Sequence, residues 1–251
     1  MSAGSRSTSW TTLRGAVVWD GLQSVLDRLA GDGRSLSVVD AGGGTGGFAV
    51  PLAQRGHRVT VIDPSFDSLA SLDRRAGERG VADRVEGRQG DLSTLGDLVA
   101  PGTADLVLCH SVLEVVDDPA TALAGVAATL RPGGVVSLLV ANRTAVVLAR
   151  AVAGRIDDAL AVLGDPAGRW GPADPLARRF DREGLSRLVE GAGLSVEAVH
   201  GVRVTLDLVP GSLLEADADA YDALLRLERE VSQLPALRDV ATQFHLLASR
   251  S

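Results

Sequence analysis

The sequence predicts an α/β fold in which helices cover both faces of a doubly wound, mostly parallel sheet. Short apolar segments alternate along the chain with longer segments whose apolar residues recur at helical spacing. A glycine-rich run directly follows the first apolar segment, which is typical of a strand that turns sharply into a helix. The chain has 251 residues, a length that suits one domain of generous size.

Seven segments are predicted to be the strands of one sheet. They cover residues 36–40, 58–63, 85–90, 104–109, 135–141, 194–200 and 244–248. Helices are predicted at 13–30, 47–55, 65–79, 119–130, 181–191 and 221–234. The RPGG sequence at 131–134 is predicted to be a turn, because proline and glycine interrupt regular structure. Strands that are apolar on both faces favour a parallel sheet buried between two helical layers.

Three regions are expected along the chain. Residues 1–12 are rich in Ser and Thr and are expected to form a flexible N-terminal arm. Residues 13–251 form the main domain, which begins with a helix. The regular alternation lapses at about 142–180, where an Ala/Val/Leu helix precedes the Gly/Pro-rich sequence GDPAGRWGPADP. We expect this part to be a small helical and loop insertion near the active site.

The composition excludes several kinds of chemistry. The sequence contains no lysine, so a lysine Schiff base and a lysine-containing phosphate loop are both excluded. The net charge of −7 argues against a broad basic surface for nucleic acid and leaves a local basic patch open. Cys109 is the only cysteine and the histidines are scattered, so we expect no metal site. No signal peptide or membrane helix is evident, which predicts a cytoplasmic protein with no membrane partner.

The segment VVDAGGGTGGFAV contains the most informative motif. Gly42, Gly44 and Gly47 match the G-x-G-x-x-G spacing of dinucleotide-binding proteins. Gly42, Gly44 and Gly46 equally match the G-x-G-x-G loop of S-adenosylmethionine (SAM) methyltransferases. A turn with a purely structural role is the third interpretation of these glycines. The spacing alone therefore leaves the ligand open.

Acidic residues near the ends of the first three strands favour SAM. Asp63 ends the second strand and would accept hydrogen bonds from ribose hydroxyls, unless it only caps the next helix. Asp40 precedes the glycines and suits the ammonium and sulfonium charges of SAM better than a pyrophosphate. After the third strand, Asp91 would accept from the adenine amino group while Leu92 donates its backbone N–H. The alternative for Asp91 is a helix cap.

Longer motifs carry a resemblance to a known family. The sequence resembles class I SAM-dependent methyltransferases, and within them the bacterial tRNA 5-carboxymethoxyuridine methyltransferases. The motifs that carry the resemblance are LRGAVVW at 13–19, DAGGGTG at 40–46, HSVLEVVDDP at 110–119, GVRV at 201–204 and YDALLRLE at 221–228. The resemblance implies the Rossmann-like class I methyltransferase fold, SAM as cofactor and S-adenosylhomocysteine as product.

The resemblance also implies roles for individual residues. Arg14 would hold the methionine carboxylate of SAM, and a guanidinium can do so with two parallel hydrogen bonds. Gly42 and Gly43 would line the cofactor, and Gly90 would face the adenine together with Asp91. His110, directly after the fourth strand, would lie beside the methionyl part, although a histidine buried for packing is an equal alternative. The reaction implied is methylation of the carboxylate of a modified wobble uridine in tRNA, giving a methyl ester.

The sequence also offers candidates for binding the acceptor. Arg203 in the GVRV motif is the first candidate for holding an acceptor carboxylate, with Arg178 and Arg179 as second choices; surface salt bridges are the alternative for each. A carboxylate is ionised at neutral pH and needs no general base, whereas a phenol or an amine would make His110 a candidate base. Trp170 would stack on a base or pin the insertion.

Three alternatives remain open at this point, and one of them is a catalytically silent member that binds SAM or a partner without turnover. The acceptor could be a small metabolite instead of tRNA, with the same cofactor and chemistry. An NAD-binding oxidoreductase would also explain the glycine loop, but the sequence lacks a Tyr-x-x-x-Lys pair and this function leaves the RPGG turn unexplained. The oligomeric state is not predicted by the sequence.

Overall fold

The computed structural model describes residues 3–31, 33–210 and 218–251, with side chains from residue 15 onward except for those of 32 and 211–218. The chain divides into two compact units. The first comprises residues 1–24, 140–182 and 199–245, and the second comprises 25–139, 183–198 and 246–251. The segment expected to be an insertion, 142–180, falls within the first unit.

The described residues form one seven-stranded sheet, with strand order β3-β2-β1-β4-β5-β7-β6. The strands are β1 (Ser37–Ala41), β2 (Arg58–Asp63), β3 (Val85–Gln89), β4 (Ala104–His110), β5 (Leu130–Ala141), β6 (Leu194–Val202) and β7 (Gln243–Arg250). Neighbouring strands from β3 through β5 are parallel, and the sheet includes one antiparallel hairpin. The predicted fold class, a doubly wound and mostly parallel α/β sheet, is confirmed.

Helices alternate with these strands through most of the chain. They are α1 (Ala3–Ala30), α2 (Ala49–Gln54), α3 (Phe66–Glu78), α4 (Leu95–Leu98), α5 (Pro119–Thr129), α6 (Arg143–Val152), α7 (Ile156–Gly164), α8 (Arg182–Gly191), α9 (Ala218–Val231) and α10 (Pro235–Arg238). Side-chain caps fix several helix starts: Ser65 accepts from the backbone N–H of Ser68, and Asp118 accepts from that of Ala120. In the described part of the chain, no helix is both long and apolar enough to cross a membrane.

Two local predictions differ from the structure. The RPGG sequence was expected to be a turn that precedes a strand, but β5 already begins at Leu130. Leu130 pairs with Ala104 and Val135 with Leu106, so the sequence forms an irregularity within the strand pairing. Helix α1 begins at Ala3, within the region expected to be a loose arm. Residues 3–30 contain no proline, so no missing N–H group interrupts this helix.

The centre of the sheet forms the core of the second unit. Strand β4 is buried along its length except at its last residue, and most of β1 and β5 is buried as well. Val and Leu supply most of these side chains, which suits strands that are covered on both faces. The strands are therefore held rigidly, and the residues at their carboxyl ends have fixed positions.

Candidate functional site

The carboxyl ends of the first four strands meet along one edge of the sheet in the second unit. Ala41, at the end of β1, lies opposite Ile62 and Cys109 in the neighbouring strands. At the same edge Asp63 pairs with Gln89, and His110 pairs with Leu139. Ligands of open α/β sheets bind at this edge, outside the strand ends. The structure therefore brings together the ends of β1 to β4, where the sequence places most of the candidate residues.

Asp63 connects three of the loops at this edge. Its Oδ2 accepts a hydrogen bond of 2.9 Å from the backbone N–H of Gly44, and its Oδ1 accepts one of 2.9 Å from that of Ser65. Its backbone oxygen accepts from the N–H of Gly90 at 3.3 Å. The side chain is buried, so these bonds hold the carboxylate against the glycine loop. Its position suits both the predicted ribose contact and the alternative of a turn residue.

The backbone distinguishes the two possible spacings of the glycine motif. Gly46 has a φ of 79°, a conformation that L-residues rarely adopt. A Cβ added at Gly46 would also lie 2.3 Å from Cδ1 of Leu72, whereas a Cβ at Gly47 would meet nothing within 4 Å. In the dinucleotide fingerprint the third glycine permits close packing of helix and strand. Gly47 has no such neighbour, so the structure favours the G-x-G-x-G spacing of Gly42, Gly44 and Gly46.

Asp40 is buried beneath this loop. A Cβ at Gly43 would lie 2.5 Å from Cγ of Asp40, so the absence of a side chain at Gly43 makes room for the carboxyl group. Its Oδ2 is buried and has no hydrogen-bond partner among the described residues. Burial, with a smaller effect from the charge of Asp63, raises the pKa of Asp40 to about 7.

These features fit a positively charged ligand. A buried carboxyl oxygen without a partner is costly, and a nearby cation would stabilise its charged form. SAM carries an ammonium and a sulfonium charge, which are the charges that the sequence assigns to Asp40. The residues present at this edge therefore fit SAM.

In the loop after β3, Asp91 and Leu92 differ in how far their side chains are buried. Asp91 is exposed, and its Oδ1 accepts hydrogen bonds from the backbone and the hydroxyl of Ser93 and from the backbone of Thr94. The bonds to Ser93 in particular hold the pKa of Asp91 below its usual value. This pattern resembles the capping role that was the alternative for Asp91, although a carboxylate can accept further hydrogen bonds. The side chain of Leu92 is buried.

His110 is half-buried at the end of β4. Its Nε2 lies 2.8 Å from Oγ of Ser137, and its ring packs edge-on against Phe48 with 4.7 Å between ring centroids. Burial lowers the pKa of His110 to about 3, so the imidazole is neutral at physiological pH. A group with so low a pKa is a poor general base at neutral pH. Ser111, the next residue, has a φ of 58°, which is uncommon for a residue other than glycine.

The predicted arginine candidates belong to the first unit. Arg14 lies in α1, and its side chain falls outside the described residues. Arg203 directly follows β6 and forms an ion pair with Asp207. Arg179 forms a buried ion pair with Asp174 at 2.6 Å, so the surface salt bridge considered for it is in fact an interior one. Arg178 is half-buried in the loop that precedes α8.

Trp170 also lies in the first unit, within the predicted insertion. The guanidinium of Arg150 lies over its ring, 4.0 Å from the ring centroid. One face of the indole is thus covered by a cation–π contact, which supports the expectation that Trp170 pins its loop.

The sequence-based prediction of the site does not include Ser137 and Phe48. Ser137 is fully buried in β5 and interrupts the apolar run VVSLLV, and a polar residue in a buried strand is a signal that it contacts another polar group. Phe48 directly follows the glycine motif, and aromatic residues are rare in this chain. Their partner, His110, is distant in sequence from both, so neither contact is visible without the strand register.

Comparison with known proteins agrees with this geometry. A family model described as a methyltransferase domain matches residues 19–199. The chain belongs to this methyltransferase family. It is a SAM-dependent methyltransferase, which confirms the predicted enzyme class and cofactor and sets aside the NAD-binding alternative.

Relatives of known sequence include enzymes with different acceptors. The tRNA 5-carboxymethoxyuridine methyltransferase of Escherichia coli (strain K12) is 32% identical over 242 residues, which cover 95% of this chain and 88% of that protein. The ubiquinone biosynthesis O-methyltransferase of Methylobacterium sp. (strain 4-46) is 35% identical over 170 residues, which cover 66% of this chain and 63% of that protein.

Solved structures share the fold at lower identity. A SAM-dependent methyltransferase from Mesorhizobium loti has a TM-score of 0.62 and 20% identity, with 95% of this chain and all (100%) of that chain covered. Magnesium protoporphyrin IX methyltransferase from Synechocystis PCC 6803, with bound S-adenosylhomocysteine, has a TM-score of 0.60 and 18% identity. The match covers 94% of this chain and 84% of that chain. These structures support the fold of the chain.

Proposed function

We propose that this methyltransferase converts the carboxylate of a 5-carboxymethoxyuridine at the wobble position of tRNA into a methyl ester. The observation that carries the proposal is the extent of the match to the Escherichia coli enzyme, which covers 95% of this chain and 88% of that relative. Such a match takes in most of both compact units. The match to the ubiquinone O-methyltransferase covers only 66% of this chain, so it supports shared cofactor chemistry more than a shared acceptor.

The residues at the sheet edge have complementary roles toward SAM in this proposal. Asp40 faces the positive charges, Asp63 accepts from the ribose hydroxyls, and Asp91 and the Leu92 backbone contact the adenine. The glycines at 42–44, 46 and 90 keep the surrounding backbone free of side chains. Arg14 binds the methionine carboxylate through its guanidinium. When bound, SAM supplies a methyl group on a positively charged sulfur, which is a good leaving group.

The protein then has only to position the acceptor. An ionised carboxylate is already a nucleophile, so proximity and alignment account for the catalysis and no proton has to be removed. A reaction without a general base is consistent with the pKa of His110, which is about 3 and keeps the imidazole neutral. His110 then contributes packing and a hydrogen bond to the site and takes up no proton. Arg203 binds the acceptor carboxylate. A tRNA acceptor would place the reaction in the cytoplasm, as we expect from the sequence.

The test uses purified protein, SAM and tRNA from a strain that lacks the methyl ester. Nucleosides from the treated tRNA are analysed by mass spectrometry before and after mild alkali. We expect conversion of carboxymethoxyuridine to a product one methyl group heavier, and alkali should reverse the conversion because esters hydrolyse. If the tRNA is unchanged while a phenol of the ubiquinone type is methylated, the proposed acceptor is wrong.

A further inference from the structure

The backbone at Arg203 is held in an unfavourable conformation. Arg203 has a φ of 61°, and among the described residues only Ser111 shares a positive φ without being glycine. Ser111 directly follows β4 at the candidate cofactor site, and Arg203 directly follows β6. A left-handed conformation at such a residue persists only where the surroundings enforce it, and it is concentrated at functional sites.

Glu228 of helix α9 enforces this conformation from one side. Its Oε1 accepts from the backbone N–H groups of Thr205 and Leu206, both at 2.6 Å, and from the hydroxyl of Thr205 at 2.7 Å. Its Oε2 accepts from the backbone N–H of Val204 at 3.1 Å. Glu228 is only 2% exposed, and a buried carboxylate is tolerated when hydrogen bonds compensate its charge. This one side chain therefore fixes the three residues that follow Arg203.

Thr242 and Asp207 hold Arg203 from the other side. The backbone oxygen of Arg203 accepts from the backbone N–H of Thr242 at 3.3 Å and from its hydroxyl at 3.2 Å. The guanidinium donates to both oxygens of Asp207, from Nε at 3.2 and 3.0 Å. The Thr242 hydroxyl also lies 2.9 Å from Oδ2 of Asp207. The arginine side chain is still 26% exposed, so its guanidinium is fixed in direction and accessible to solvent.

From this arrangement we infer that Asp207 occupies the guanidinium of Arg203 in place of the acceptor carboxylate, and that Glu228 is the positioning residue that directs Arg203. The inference rests on the proposed function and names the determinant of its specificity. A carboxylate presents two oxygens in a plane and binds the guanidinium as Asp207 does, so the two groups compete for the same donors. An acceptor that carries a carboxylate can therefore replace Asp207 at the guanidinium of Arg203, and this exchange selects acidic acceptors.

A positioning role differs measurably from a merely structural one. Phosphate contacts of RNA are the same for any wobble base, so they cancel when two otherwise identical tRNAs are compared. The informative quantity is the ratio of dissociation constants for a tRNA with unmodified uridine and the same tRNA with carboxymethoxyuridine, measured with S-adenosylhomocysteine present. Loss of stability alone changes the melting temperature and leaves this ratio unchanged.

The experiment compares variants of Arg203, Asp207 and Glu228 with a matched arginine control. Arg203→Gln should lower the ratio to about 1, because the charged partner of the carboxylate is lost. Asp207→Asn should raise the ratio at least about threefold, since an uncharged amide competes less well for the guanidinium. Glu228→Gln should lower the ratio, and should lower it no further in the Arg203→Gln background. Arg187→Gln, at a side chain that is 71% exposed, should leave the ratio unchanged.

One further variant keeps the test valid if Glu228→Gln does not fold. Thr205→Val removes one hydrogen bond to Glu228 and should act in the same direction as Glu228→Gln. If wild-type protein forms the ester but the variants of Arg203, Asp207 and Glu228 leave the ratio unchanged, the inference about Arg203 is wrong and the proposed function stands. If wild-type protein forms no ester and the ratio is 1, both are overturned.

Discussion

Oδ2 of Asp63 accepts a 2.9 Å hydrogen bond from the backbone N–H of Gly44, which joins the end of β2 to the glycine loop after β1. The same carboxylate accepts from Ser65, so it fixes two loops of the candidate cofactor site at once. A carboxylate oxygen can accept more than one hydrogen bond, so these contacts leave capacity for ribose hydroxyls. The relationship makes Asp63 both a part of the loop structure and a candidate ligand for the cofactor.

Replacement of Asp63 should therefore weaken cofactor binding more than it weakens the fold. Asp63→Ala removes the tether to Gly44 together with the ribose acceptor, and we expect SAM affinity to fall by roughly 10- to 100-fold, in line with the loss of one or two charge-assisted hydrogen bonds. Calorimetric titration with SAM measures the effect. Asp67→Ala, at an exposed residue in the first turn of α3, is the control and should bind normally. Equal affinities for the two variants would exclude the role of Asp63.

The glycine motif offers a matched pair of substitutions. Gly43→Ala introduces a Cβ that would lie 2.5 Å from Cγ of Asp40 and 2.9 Å from Cγ1 of Val61, so the buried carboxyl group has to move. Gly47→Ala introduces a Cβ with no atom within 4 Å. We expect the first variant to lose SAM binding and the second to retain it, as fluorescence titration would show. If Gly43→Ala binds SAM normally and Gly47→Ala does not, the close packing of Gly43 against Asp40 does not determine SAM binding.

The sequence predicts the sheet well because its signals are local. Apolar strands, glycine breaks and helical periodicity each depend on neighbouring residues, and they place the elements of the sheet close to their observed bounds. The prediction for the RPGG sequence is wrong. Proline and glycine predict a turn, yet β5 already begins at Leu130, because the pairing of Leu130 with Ala104 outweighs the local preference for a turn. Tertiary hydrogen bonds override propensity at that position.

The site was predictable in part, for a related reason. Asp40, Asp63 and His110 stand at strand ends, and strand ends can be read from the sequence. The contacts of His110 with Phe48 and Ser137 depend on register between distant segments, which no local pattern reveals. The same holds for Glu228, since its hydrogen bonds join residues more than twenty positions apart.

Asp40 should make the stability of the unliganded protein depend on pH. Its pKa is about 7 in the folded state against 3.8 in the reference state, so between these values the folded protein binds more protons than the unfolded chain. Its contribution is therefore fully present below about pH 4 and is lost as pH rises toward 7, by on the order of 4 kcal/mol. Asp40→Asn should be more stable than wild type at pH 8 and similar at pH 4, which urea unfolding at each pH would show.

Binding of SAM should remove the proton from Asp40. A cation beside the carboxyl group favours its ionised form, so binding of SAM below pH 7 should release a proton from this residue. Calorimetric titration in buffers of different ionisation enthalpy measures the proton count. The Asp40→Asn variant serves as the reference, because it has no proton to release there. A proton count that is the same for both proteins would rule out contact between Asp40 and the positive charges.

His110 should change the pH dependence of stability in the direction opposite to Asp40. It should have no effect on the methylation rate near neutral pH. Its pKa is lowered from 6.5 to about 3, so the unfolded chain takes up the proton first and stability is lost as pH falls below 6.5. Because the imidazole stays neutral, the methylation rate should show no inflection from His110 between about pH 6 and 8. A rate profile of wild type and His110→Gln tests this. An inflection near pH 6.5 that disappears in the variant would identify His110 as a base.

The ion pair between Arg179 and Asp174 provides a test of the predicted insertion. The side chain of Asp174 is fully buried and that of Arg179 is 8% exposed, so Arg179→Ala leaves a charged group without its partner in the interior. We expect a loss of about 3–5 kcal/mol in the free energy of unfolding, measured with urea. Arg187→Ala is the matched control: its pair with Glu183 is 71% exposed on both sides and should contribute less than about 1 kcal/mol. If Arg179→Ala instead keeps wild-type stability and loses only affinity for the acceptor, Arg179 binds substrate, and the structural role that its burial indicates is wrong.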